Sequence, residues 1–257
     1  MLRSYEELMN NRIGATDGTI GHVRDLYFDD IAWVVRYLVV DTGQWLSGRQ
    51  VLISPLSLAA ADAADRTLPV VITREQVRHS PNIDTAKPVS RQHEMQYLDY
   101  YSYPYYWGGL GFWGGGYYPG DLVAANGLRT RPDPEPVRGD PHLRSCDAVL
   151  KYRIGASDGE IGHVQGYMID TATWAIRYLV VDTSNWWLGH QVLVTPPWIE
   201  RISWGDSAVV IDLPRQAIKD APAYDHTVPL RRDIELATYQ HYGRAGYWTE
   251  EPPRVAA

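Results

Sequence analysis

Short apolar runs separated by Gly, Asp and Pro dominate the first part of the chain. Ile13-Gly14-Ala15 ends at Thr16-Asp17-Gly18. Asp-Gly between two β-like runs predicts a tight hairpin, because glycine takes a positive φ without steric cost. The next run, Ile20 to Asp29, breaks its alternation at Arg24-Asp25, which predicts a bulge. Val34 to Asp41 (VVRYLVVD) is the most β-prone stretch: Val35, Tyr37 and Val39 point one way, and Val34, Leu38 and Val40 the other, with Arg36 among them. A strand apolar on both faces needs cover on both, one from a small barrel's interior and one from a neighbouring module. Gln50 to Leu58 predicts a further strand ending near Pro55, and Leu68 to Thr73 another. Thr73 with Gln76 three residues on predicts a capped helix ending before Pro81.

The pattern then returns. Arg12 to Pro55 aligns without a gap on Arg153 to Pro196, with more than half of the positions identical. Leu2-Arg3-Ser4 matches Leu143-Arg144-Ser145, the segment ending at Glu94 matches the one ending at Glu235, and Tyr106-Trp107 matches Tyr247-Trp248. The chain is a tandem duplication. The expected fold class is mainly β: two small barrels, each with a short helix and a tail segment, related by a pseudo-twofold. Residues 1–96 form the first repeat with its tail, 97–142 an aromatic segment and linker, and 143–250 the second repeat with its tail. The tail PVSRQHEMQYLDYY has helical spacing and is expected to lie on a barrel.

Tyr97 to Gly120 is rich in Tyr, Trp and Gly and nearly free of charge, so it is either a sticky loop or a wrap whose rings cover a barrel. Arg131 to Pro141 reads as an extended linker. The formal charge of −7 excludes a nucleic-acid partner, which would require clustered Lys and Arg. Cys146 is the single cysteine, so no intrachain disulfide forms, as in a reducing cytoplasm. Met1 to Asn11 has no signal-peptide pattern, and no apolar run reaches membrane-spanning length. A cytoplasmic protein without direct membrane insertion is expected.

The segments IGATDGTIGHVRDLYFDD, WVVRYLVVDTGQWLSGRQVLISP, TREQVRHSPNID and KPVSRQHEMQYLDYY resemble the PRC-barrel domain family, in its bacterial stand-alone type. The likeness covers both copies. The family is named after the cytoplasmic part of the photosynthetic reaction centre H subunit. The resemblance implies a small, strongly bent β-barrel and a role in interaction and assembly without a catalytic residue set. The H subunit's membrane helix has no counterpart here, and neither parent function carries over residue by residue.

The candidate chemistry is sparse. His22 and His163 share a repeat position but lack further ligands at metal-binding spacing, so no metal or other cofactor is expected. Asp17, Asp41, Asp158 and Asp182 sit beside turns, where aspartate serves the backbone. Arg36 and Arg177, each in an apolar strand, call for carboxylate partners, and Asp29 and Asp170 are the candidates for a structural ion pair in each copy. Cys146 falls where the first copy has Tyr5, which favours packing over nucleophilic chemistry. No phosphate loop or nucleophile elbow is present. Binding is therefore assigned to exposed rings: Trp45, Trp186 and Trp187 in the turns, and Tyr105, Tyr106, Trp107 and Trp113 in the aromatic stretch. Three readings follow: a non-enzymatic adaptor for a protein partner, in assembly or stress adaptation; an accessory of a photosynthetic or other membrane electron-transport complex; and a metal- or small-molecule-binding enzyme at the barrel interface.

Overall fold

A computed structural model describes residues 1–59, 66–82, 89–107, 109–125, 142–183 and 190–249. The chain divides into two compact units. The first holds Met1, Arg3–Ala148 and Asp170–Ile176; the second holds Leu2, Val149–Ile169 and Arg177–Ala257.

At the start of the chain, β1 (Leu2–Ser4) runs into the one-turn helix α1 (Tyr5–Leu8). Ser4 Oγ accepts from the Glu7 N–H, and the Glu7 carboxylate accepts from the Ser4 N–H, so α1 begins with a complete capping box. β2 (Arg12–Ala15) and β3 (Gly18–Asp29) form the hairpin that Asp17-Gly18 predicts. β4 (Val34–Asp41) pairs antiparallel with β3, and the register shifts between Val23 and Asp25, where the alternation breaks. β5 (Gln50–Ile53) adds to β4, and β6 (Thr67–Pro69) returns parallel to β2. The order β6-β2-β3-β4-β5 is thus a mixed sheet. Within it, β4 is buried from Val34 to Val40.

Helices close the first unit. α2 (Arg74–His79) starts at the predicted Thr73–Gln76 capping box, and Asp17 Oδ1 accepts from the Arg74 N–H at 2.7 Å. α3 (Arg91–Tyr100) is the expected tail helix, and its Glu94, Tyr97 and Leu98 are buried. α4 (Pro119–Ala125) follows the aromatic stretch. β7 (Leu143–Ser145), the opening of the second repeat, pairs antiparallel with the far end of β3 and leads into α5 (Cys146–Val149).

The second unit draws on β8 (Arg153–Ala156), β9 (Gly159–Asp170), β10 (Ala175–Asp182), β11 (Gln191–Val194), β12 (Ile199–Ser203) and β13 (Ala208–Ile211). The strand order is β12-β13-β8-β9-β10-β11, with β13 parallel to β8. α6 (Arg215–Lys219) and α7 (Arg232–His241) follow. Pairings recur at the spacing that separates Arg12 from Arg153: Arg12 faces His22 as Arg153 faces His163, and Leu38 faces Ile53 as Leu179 faces Val194. Glycine at positions 21 and 162 is dictated by close approach. A Cβ on Gly21 would collide with the Asp41 carbonyl, and one on Gly162 with that of Asp182.

The fold is mainly β, with mixed sheets and a few short helices, but the strand path in each unit is open. Among the described residues β6 does not pair with β5, nor β12 with β11. The strand expected to end near Pro55 stops at Ile53, because Pro55 has no N–H to extend the ladder. A 3₁₀ turn at Pro55–Ser57, and its counterpart at Pro196–Trp198, swings the chain onto another part of the sheet. Leu58 then bridges Val70, and β12 runs along β13. Bending of one chain segment, rather than a closed ladder, joins the two ends of the path.

Candidate functional site

Arg36, mid-strand in β4, is 3% exposed. Its Nη2 lies 3.2 Å from Asp29 Oδ2, and its Nη1 donates to the Phe112 carbonyl at 2.7 Å. The guanidinium stands over the Tyr106 ring at 3.9 Å and the Trp113 ring at 4.8 Å. Asp29 Oδ1 meanwhile accepts from the N–H groups of Ile31 and Ala32, fixing the turn before β4. The pair is therefore a structural clasp between turn, strand and aromatic stretch, with its desolvation offset by several partners.

Beside it lies a buried acid. Glu94 of α3 is 3% exposed and accepts hydrogen bonds from Tyr106 and, at 3.4 Å, from Tyr37, while Arg91 Nη1 lies 3.0 Å from its other oxygen. Burial raises the Glu94 carboxyl from 4.5 to about 7, against the opposing pull of Arg91, Tyr106 and Arg36. Burial, followed by the Glu94 charge, pushes the phenols of Tyr37 and Tyr106 well above their ordinary range. Arg91 also covers the Trp107 ring at 4.2 Å.

The second unit repeats the arrangement. Tyr178 and Tyr247 donate to Glu235 Oε1 at 2.8 and 2.9 Å, and Arg232 Nη1 lies 2.9 Å from Oε2. Arg177 stands over Tyr247 at 4.0 Å, and Arg232 over Trp248 at 4.2 Å. Asp170 belongs to the first unit, where it accepts from the Met1 amino group, the Ala172 N–H and Thr173 Oγ1. These networks hold tail helix to sheet in both units. The signal that could have found them is the recurrence of Arg-Tyr on the central strand, Arg-x-x-Glu on the tail and Tyr-Trp beyond it.

The rings assigned to binding lie in different settings. Trp113 is fully buried, and its Nε1–H donates to the Thr173 carbonyl at 2.8 Å. Tyr105 and Tyr106 are buried, with Tyr105 donating to Asp99 Oδ1 at 2.9 Å, and Trp107 stacks on Tyr105. The described part of the aromatic stretch is thus a wrap on the first unit. Trp45 is half-buried, donates to the Ile20 carbonyl and lies under Arg74 at 4.4 Å. Trp186 and Trp187 lie outside the described residues.

The other candidates stay dispersed. His163 Nε2 is 3.9 Å from Asp182 Oδ2, His22 is exposed, and no group of three or more metal-ligating side chains gathers among the described residues. Asp158 accepts from the Arg215 N–H at 2.7 Å, and Asp41 from the Gly43 N–H at 2.8 Å, both backbone roles. Among the described residues no helix is long and apolar enough to cross a membrane.

The second unit has a cleft of about 420 Å³ between α7 and the segment from Pro222 to Leu230. Its walls include Pro222, Tyr224, Val228, Leu230, Ile234 and Ala237, with Asp225 and Asp233 among the lining residues. Tyr224 is pinned by its N–H to the Gln191 carbonyl at 2.7 Å and by its hydroxyl to Met168 Sδ at 3.2 Å. Val228 and Leu236 are large apolar side chains left 43% and 40% exposed. At the positions of Ile234 and Ala237, α3 of the first unit carries His93 and Gln96. A volume of this size suits a small ligand or a few side chains of a partner. No protein-family model matches the chain, and no curated protein matches it.

Proposed function

We propose that the chain is a non-catalytic protein-interaction module of two PRC-type barrels, and that the second unit takes an apolar segment of a partner protein in its cleft. The observation that carries this reading is the apolar wall of Val228, Leu230, Ile234 and Ala237, with Val228 left 43% exposed. The buried charges argue in the same direction. Arg36, Asp29 and Glu235 are engaged by neighbours that hold the fold. The aromatic stretch is a poorer contact surface than the cleft, because Tyr105, Tyr106 and Trp113 are already covered.

The test is affinity capture from native lysate with the full chain and with Ile234→Asp/Ala237→Asp, two changes on the outer side of α7. A protein retained by the wild type and lost from the double variant, with unchanged circular dichroism, supports the reading. Equal retention by both, or retention by neither, removes it.

A further inference from the structure

The cleft of the second unit is apolar along most of its lining, yet each of its walls carries a carboxylate. On α7, Asp233 and Ile234 each fall about one turn from Ala237, so the three share one helix face. The other wall, from Pro222 to Leu230, contributes Asp225 beside Tyr224 and Val228. No residue lining the cleft is cationic.

Both acids are charged and accessible. The Thr227 N–H and hydroxyl donate to Asp225 Oδ1 at 2.8 and 2.6 Å, and Oδ2 takes no hydrogen bond among the described residues. Hydrogen bonding from the Thr227 hydroxyl holds the Asp225 carboxyl below its ordinary range, and the Arg231 guanidinium does the same for Asp233. Arg231 lies 2.8 Å from Asp233 Oδ2, but the two side chains are 68% and 64% exposed. An ion pair so open to water is worth little and yields easily to another cation. Arg232, the other cation at the start of α7, is held on Glu235 and over Trp248. The repeats sharpen the point. Asp225 is matched by Asp84, whereas Asp233 stands where the first repeat has Gln92. The second acid thus occurs in the copy with Ile234 and Ala237, and not in the copy with His93 and Gln96.

A wholly apolar segment is a poor fit to such a cleft, since docking would strip water from two carboxylates and give nothing in return. A cation beside the apolar anchor offsets that cost and fixes which way the segment lies. We infer that the segment taken by the second unit carries a lysine or arginine next to its apolar anchor, with the cation seated between Asp225 and Asp233. This inference rests on the docking reading proposed above and adds the charge of the partner.

The test titrates three capped pentapeptides of leucine and alanine, with lysine, glutamine or glutamate at the centre, into the full chain. Methyl NMR shifts of Val228, Leu230 and Ile234 report the cleft. The lysine peptide should bind tightest and the glutamate peptide weakest. Its lead over glutamine should be about tenfold, at roughly threefold for each exposed carboxylate, and should shrink in high salt. In Asp225→Asn/Asp233→Asn, with circular dichroism unchanged, the ratio of lysine to glutamine affinity should fall to near one. Equal binding of the lysine and glutamine peptides at the wild-type cleft would overturn the inference and leave apolar docking standing. A lysine preference that survives the double variant would overturn it too, as would no shift with any peptide. Tighter binding of phenylbutylamine than of the lysine peptide would give the cleft to a free amine. Shifts on concentrating the protein alone would give it to a second copy, and either result would also overturn the inference.

Discussion

Replacing Glu94 with Gln removes a titrating group from the most enclosed polar network of the first unit. Burial raises the Glu94 carboxyl from 4.5 to about 7, even though Arg91, Tyr106 and Arg36 all favour its charged form. An acid whose folded pKa lies above its unfolded one binds its proton more tightly when folded. Its contribution to stability is therefore complete below the unfolded value, declines as pH rises from 4.5 towards 7, and is lost above that window. At roughly 1.4 kcal/mol per pKa unit, the decline amounts to about 3 kcal/mol. The side chain is only 3% exposed, so solvent screening does little to reduce it. Glutamine keeps the shape and an acceptor oxygen for Tyr37 and Tyr106 but cannot ionise. Urea unfolding of both proteins, followed by fluorescence at a series of pH values from about 4.5 to 8, isolates the effect as a difference. The stability of Glu94→Gln relative to wild type should climb by about 3 kcal/mol across the series. A flat difference would mean that burial and the charged neighbours cancel. A slope of the opposite sign would mean that Arg91 and the two phenols outweigh burial, and would refute the reasoning.

Two further outcomes follow from packing. Gly21→Ala drives a methyl group into the Asp41 carbonyl and should lower stability by about 1–3 kcal/mol, read as a fall in the thermal midpoint. Trp113→Ala empties a fully buried site and removes the hydrogen bond to the Thr173 carbonyl, so a loss of about 3–5 kcal/mol is expected in chemical denaturation.

Much of the local structure was legible because its causes are local. The Asp17-Gly18 hairpin, the shift at Arg24-Asp25 and the Thr73–Gln76 cap each follow from a few adjacent residues. Arg36 could be matched to Asp29 because a charge in an apolar strand demands a partner within reach of the next strand. The end of a strand near Pro55 was legible too, but the parallel return of β6 to β2 was not, since it depends on residues far apart in sequence. The aromatic stretch was ambiguous for the same reason. Nothing in its own sequence says that Trp113 donates to Thr173, 60 residues away. Glu94 and Glu235 escaped notice because a glutamate on an amphipathic helix reads as solvated until the tyrosines that enclose it are placed.

The two tail helices separate what the duplication kept from what it changed. On α3 and α7 the buried positions keep the glutamate and, three residues on, carry Tyr97 and Thr238 at equivalent sites. Arg91 and Arg232 hold those glutamates from one turn earlier, and Tyr37 and Tyr178 receive them on the central strands. This face is fixed in both copies because a buried carboxylate stripped of any one partner is costly. The outward positions carry no such constraint, and there His93 and Gln96 stand against Ile234 and Ala237. A helix anchored from inside can be rewritten outside without loss of fold. An apolar rewriting exposed to water is unfavourable unless something covers it. Under the proposed function, this divergence is the reason for placing the partner on α7 of the second unit, while α3 of the first holds the aromatic wrap.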